Sequence, residues 1–80
     1  MTIKELSIQL EKQGIRKDAY SLTGGLPSEA YCLNPQRNYW EVYYSERGQK
    51  SGLQVFDSEK AACRAFMDLI MSDESIMDCK

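Results

Sequence analysis

Enzymes that work near neutral pH most often use histidine as general base, as partner to a nucleophilic Ser or Cys, or as zinc ligand, and this sequence contains none. Carboxylates are the remaining acid–base groups. Glu41 and Glu46 stand on a strand and its turn, a spacing that does not by itself bring two carboxylates into one pocket. The three cysteines, Cys32, Cys63 and Cys79, are odd in number, lie far apart and match no pair-of-pairs spacing, so they read as reduced, partly buried thiols. A structural zinc site would need four ligands gathered from distant parts of the fold. Gly24-Gly25 does not open a phosphate-cradling loop, because no Gly-Lys-Ser/Thr follows and Leu26-Pro27 leads into a strand. The residues therefore predict a protein with no catalytic site, cofactor or metal, which acts by binding.

The elements that would position a binding surface are readable from the spacing. The clearest is Tyr39-Trp40-Glu41-Val42-Tyr43-Tyr44-Ser45, which alternates so that Trp40, Val42 and Tyr44 share one face and Tyr39, Glu41, Tyr43 and Ser45 the other. Burying the Trp40 side leaves Tyr39, Glu41 and Tyr43 open to solvent. Tyrosine is enriched at protein interfaces, so this aromatic and acidic face suits a basic protein partner. The plainer alternative is that these tyrosines pair across strands and cover the sheet.

Around that strand, Thr2 and Glu5 have capping-box spacing, and Ile3, Leu6 and Leu10 form the apolar stripe of a first helix that Gly14 ends. Ala19 to Leu22 alternates as a short strand, residues 23–28 form a turn-rich connector, and Glu29 to Leu33 reads as a second strand. Residues 34–38 reverse the chain, residues 46–50 make a hairpin, and Leu53 to Phe56 returns with Leu53 and Val55 on one side. Asp57 is placed as N-cap of a last helix with a stripe of Ala62, Phe66, Leu69 and Ile70, Ala65 beside it. The fold class expected is α+β: an antiparallel meander of three to four strands between an N-terminal and a C-terminal helix, the helices on one face. Residues 1–71 make a single domain and residues 72–80 a frayed acidic tail.

Eighty residues leave room for one hydrophobic core. A core of that size rarely supplies more than roughly 3–5 kcal/mol, so a partner that binds only the folded form is a natural source of further stability. No secretory h-region or membrane-length apolar window is visible, and the expected address is the cytoplasm, with no membrane partner. A net charge of −2 without a Lys/Arg cluster argues against nucleic acid, whose affinity comes mainly from neutralised phosphates. The order of elements also suits a double-stranded-RNA-binding domain. There, however, Asp57-Ser58-Glu59-Lys60 would stand where such domains carry a lysine-rich helix start.

The segments Gly14-Ile15-Arg16, Asp18 to Leu22, Gly24 to Leu33, Trp40 to Gly48 and Phe56 to Glu59 resemble those of small bacterial immunity proteins of polymorphic-toxin and contact-dependent growth-inhibition systems, a similarity that covers about residues 14–70. The resemblance implies a protein that binds the C-terminal domain of a cognate toxin, often a nuclease, and occludes its active site or substrate cleft. It does not transfer an interface. The contacts expected from alternation and charge are Glu41, Tyr43, Glu46 and Arg47, with Tyr39 and Asp18 as secondary ones. Glu41 and Glu46 would meet basic cleft residues, Tyr39 and Tyr43 would anchor, and Arg47 would reach an acidic group. A non-catalytic interaction subunit of a larger assembly is the further alternative.

Overall fold

The structure, a computed structural model, describes residues 1–27 and 29–72. The first helix, α1, spans Ile3–Lys12 and begins with the expected capping box: the Glu5 N–H donates to Thr2 Oγ1 (3.2 Å) and the Thr2 N–H to Glu5 Oε1 (2.9 Å). It ends in a Schellman motif, in which Gly14 at φ +76° lets its N–H reach the Glu11 carbonyl while the Ile15 N–H reaches that of Leu10. Leu10 and Ile15 are both buried, so the same turn that satisfies the helix end also delivers Ile15 to the core.

A 3-10 turn at Lys17–Ala19 leads into β1 (Tyr20–Ser21), followed by β2 (Ala30–Pro35), β3 (Trp40–Glu46), β4 (Gln49–Phe56) and α2 (Glu59–Met71). The strand order is β1-β2-β3-β4. The class is α+β, but the sheet is mixed. β2, β3 and β4 form an antiparallel meander, whereas β1 pairs parallel to β2, Tyr20 beside Tyr31 and Ser21 beside Cys32. The purely antiparallel expectation is corrected because the connector after β1 does not turn back as a hairpin. It crosses over the sheet, with Gly24 and Gly25 at φ +81° and +85° and Glu29 at +50°, and returns the chain to the end where β1 began. β2 starts at Ala30, one residue later than its sequence suggests, because Glu29 leaves the extended region.

One face of the sheet carries both helices. Leu6 and Leu10 of α1, Leu33 and Val42 of the sheet, and Ala62, Cys63, Phe66 and Ile70 of α2 form one buried cluster, with Trp40, Tyr31 and Phe56 packed at its margin. The indole side of β3 thus points inward as expected. In α2 the stripe is rotated slightly from expectation: Cys63 is buried while Leu69 is exposed. The N-cap is Ser58, whose hydroxyl accepts from the Ala61 N–H at 3.0 Å, and not Asp57. Ser72 is the C-cap of α2, and the remainder of the expected tail, residues 73–80, lies outside the described residues. Among the described residues no helix is long and apolar enough to cross a membrane.

Glu59 has a second role beyond the dipole of its own helix. Its Oε2 accepts the N–H of Ile3 at 2.8 Å, so a side chain in the first turn of α2 satisfies an orphan donor at the start of α1. Glu59→Ala is expected to lower stability in urea by about 1–2 kcal/mol and to speed exchange of the Ile3 amide more than that of the Leu10 amide. Uniform acceleration of the two would show that the tie is not local.

Candidate functional site

The second face of the sheet, away from the helices, carries Ala30, Cys32 and Asn34 of β2 opposite Ser45, Tyr43 and Glu41 of β3. Alternation led to the expectation that Tyr43 and Glu41 stand free there. The structure corrects this, because the connector lies across the β2–β3 half of that face. Tyr43 is 0% exposed, and its hydroxyl donates to the Gly25 carbonyl at 2.6 Å; the hydroxyl of Ser45, also buried, donates to the Pro27 carbonyl at 2.6 Å. Gly24 is buried against Asn34, where an added Cβ would collide with the Asn34 side chain. Tyr43 therefore pins the connector, and neither its ring nor its hydroxyl stands free on the sheet surface.

Glu41 is also turned inward. Its Oε1 accepts from the Asn34 amide at 2.9 Å and from the Lys50 ammonium at 3.2 Å, and its side chain is only 14% exposed. The Lys50 nitrogen sits 4.9 Å from the centre of the Tyr43 ring, a cation–π contact within the same network. The Asn34 amide, with Lys50 in support, holds the Glu41 carboxyl below the ordinary carboxylate range. Burial, aided by neighbouring Cys32 and Glu41, pushes the Tyr43 phenol up to about 12. Sequence reasoning missed Asn34 and Lys50, which take up the very carboxylate proposed for a partner.

The other expected contacts separate into two groups. The row Tyr20, Tyr31, Tyr44 and Ser51 runs across the four strands, so Asp18 before β1, Glu29 before β2 and the tip of the β3–β4 hairpin lie at one end of the sheet. There Glu46 and Arg47 are exposed, as is Asp18, whose carboxylate lies 3.6 Å from the Arg16 guanidinium. Tyr39, 39% exposed, precedes β3 at the opposite end. The hairpin tip is a two-residue type I′ turn, with Arg47 at φ +52° and Gly48 at φ +74°. A shallow hollow beside it is lined by Glu46, Arg47, Gln49, Lys50 and Ser51. Both signs of charge occur along this rim: Asp18, Glu29 and Glu46 together with Arg16, Lys17 and Arg47.

The β4 half of the second face is not covered. Leu53 and Val55 fall on the same side of β4, as expected, yet they are 47% and 59% exposed and belong to no core. Among the described residues no three carboxylates or thiols converge as a metal site would require, and Cys32 and Cys63 are buried and unbridged. Comparison of the chain with protein-family models, with curated proteins and with solved structures finds no match.

The network makes stability depend on pH at both extremes. A tyrosine raised from about 10 to about 12 keeps its proton when the unfolded chain has lost it. Its stabilisation is complete below about pH 10 and is lost as pH rises from there through about 12. Tyr43→Phe should remove that alkaline loss and cost about 1–2 kcal/mol at neutral pH through the stranded Gly25 carbonyl; an alkaline transition identical to the parent's would exclude Tyr43 as its source. On the acid side, the depressed Glu41 carboxyl stabilises above its unfolded value of about 4.3, and this is lost as pH falls through its lower folded value. In Glu41→Gln, thermal midpoints between neutral and acid pH should fall less steeply than in the parent.

Proposed function

We propose that this protein is a toxin-neutralising immunity protein, a non-catalytic domain that binds a cognate toxin domain and occludes its active site or substrate cleft. The identity of the partner rests on the sequence resemblance over about residues 14–70. The observation that carries the binding role is the hairpin tip. Arg47 occupies a left-handed conformation that glycine or asparagine holds at lower cost, by about 1 kcal/mol. An arginine at that position is poor for folding and well placed for contact. With Tyr43 and Glu41 engaged within the chain, the contacts fall to Glu46 and Arg47, with Asp18 at the same end of the sheet and Tyr39 as a separate aromatic contact. A rim that carries both signs suits a protein surface of complementary pattern, where charge sets register and encounter rate.

The order α1-β2-β3-β4-α2, with both helices on one face, favours a second reading: a nucleic-acid-binding module of double-stranded-RNA-binding-domain-like architecture. Its phosphate contacts would fall at the start of α2, where Asp57 and Glu59 stand instead of lysines. Mixed signs at the hairpin end also lack the uniform positive field that a polyanion needs.

The test separates folding from binding. Arg47→Asn should raise stability by about 0.5–1 kcal/mol, whereas binding to the cognate toxin domain, sought in the reading frame immediately upstream, should weaken by about 2–5 kcal/mol when Arg47→Asn is combined with Glu46→Lys. Calorimetric titration measures the binding and a thermal melt the stability. Undiminished affinity would exclude the hairpin tip, and a salt-dependent shift of duplex RNA would favour the second reading.

A further inference from the structure

Strand β4 is the last in the sheet, so its outer edge presents main-chain N–H and C=O groups with no strand beside them among the described residues. Such edges are usually shortened, interrupted by proline or guarded by charge, because they template pairing with another chain. β4 runs Gln49–Phe56 without proline, and every residue up to Val55 is exposed. Its one charged side chain, Lys50, is turned onto Glu41. Leu53 and Val55 flank Gln54 on the sheet face that the connector leaves bare.

The sequence of this edge is complementary to itself. A two-fold axis through Gln54, perpendicular to the sheet, would set a second β4 antiparallel to the first, with Gln54 beside its copy and Leu53 beside Val55 twice over. All four apolar side chains then share one face. Further out, the bulge decides the register. Between Val42–Gln54 and Tyr44–Ser51 the strand β4 uses two residues where β3 uses one, and Gly52 takes φ +64°. Counted the same way against the second copy, the bulge places Ser51 opposite Phe56 and Lys50 opposite Asp57, each pair on a common face. Without that extra residue Lys50 would meet Ser58, and Asp57 would meet a residue facing the other way. The edge thus reads, from the axis outward, as an amide, an apolar pair, a Ser51–Phe56 pair and a cation–carboxylate pair on each side, in which the Lys50 ammonium keeps Glu41 as its own-chain partner and offers a further N–H to Asp57.

The geometry points to a dimer of this chain through antiparallel β4–β4 pairing, which extends the sheet across both copies and packs Leu53 beside Val55 of the other copy. The inference does not depend on the toxin-binding reading, since the hairpin tip lies beyond the paired strip. A single strand edge buries less area than permanent interfaces do, so the dimer is reversible and forms with rising concentration.

Sedimentation equilibrium of the full chain under reducing conditions, from low micromolar to about millimolar concentration, should show the mass rising from 9.2 kDa toward twice that value. Val55→Lys should raise the dissociation constant at least ten-fold while leaving the thermal midpoint near that of the parent. Lys50→Asp and Asp57→Lys should each be monomeric alone, and mixing the two should restore a dimer, because the heterodimer re-forms both opposite-charge pairs. A lost fold in either variant cannot produce that rescue. A monomer throughout the concentration range, or a dimer indifferent to Val55→Lys, overturns the proposal.

Discussion

A tyrosine hydroxyl buried on a sheet face needs an acceptor, and for Tyr43 that acceptor is the Gly25 carbonyl. Much of the remaining architecture follows from this requirement. To bring a carbonyl over the ring, the connector must cross the sheet instead of turning back, and that crossing returns the chain parallel to β2, producing the short β1 pairing. The crossing brings the backbone so close that only a glycine fits at position 24, where it packs on Asn34. Asn34 in turn holds Glu41, Glu41 holds Lys50, and Lys50 closes the loop over the Tyr43 ring. Each polar group in the chain of contacts is satisfied by the next, which is the condition under which a buried polar network stabilises a fold.

The two faces of the sheet are consequently held by different forces. On the helix side, apolar side chains from α1, α2 and the strands remove area from water, a non-directional effect that scales with the area buried. On the connector side, Ser45 and Tyr43 fix two carbonyls through short directional bonds, where a displacement of an ångström would strand an acceptor. The helix side supplies most of the driving force. The connector side sets which conformation is adopted.

This difference explains what could be read from the residues and what could not. The capping box at Thr2, the glycine stop at Gly14, the strand at Trp40–Glu46 and its inward indole depend on near neighbours and on periodicity, and all were legible. Alternation also assigned Tyr43 and Glu41 to the second face correctly. What it does not encode is whether a loop distant in sequence lies over that face. A signal was present: Ala30, Cys32 and Ser45, small residues that surround Tyr43 on that face, suit a surface packed by backbone better than one open to water. The hairpin tip was legible as a turn, but its left-handed Arg47 was not, since Arg-Gly is an unusual type I′ pair and the conformation is imposed by strand twist. The bulge at Gly52 was equally hidden, because Leu53 to Phe56 reads as a complete strand without it.

Covering only half of the second face has a cost at its margin. The connector spans β2 and β3; β4 closes the outer edge of β3, and β1 closes that of β2 at Tyr31 and Cys32. β4 lies outside that shelter and inherits both an unpaired edge and two apolar side chains without a partner. Lys50 would normally guard such an edge by projecting charge into the path of an incoming strand, but the network around Tyr43 draws its ammonium onto the sheet face. The contact that steadies Glu41 thereby weakens the protection of the edge. The same set of polar bonds that closes one half of the sheet is what leaves the other half available for association.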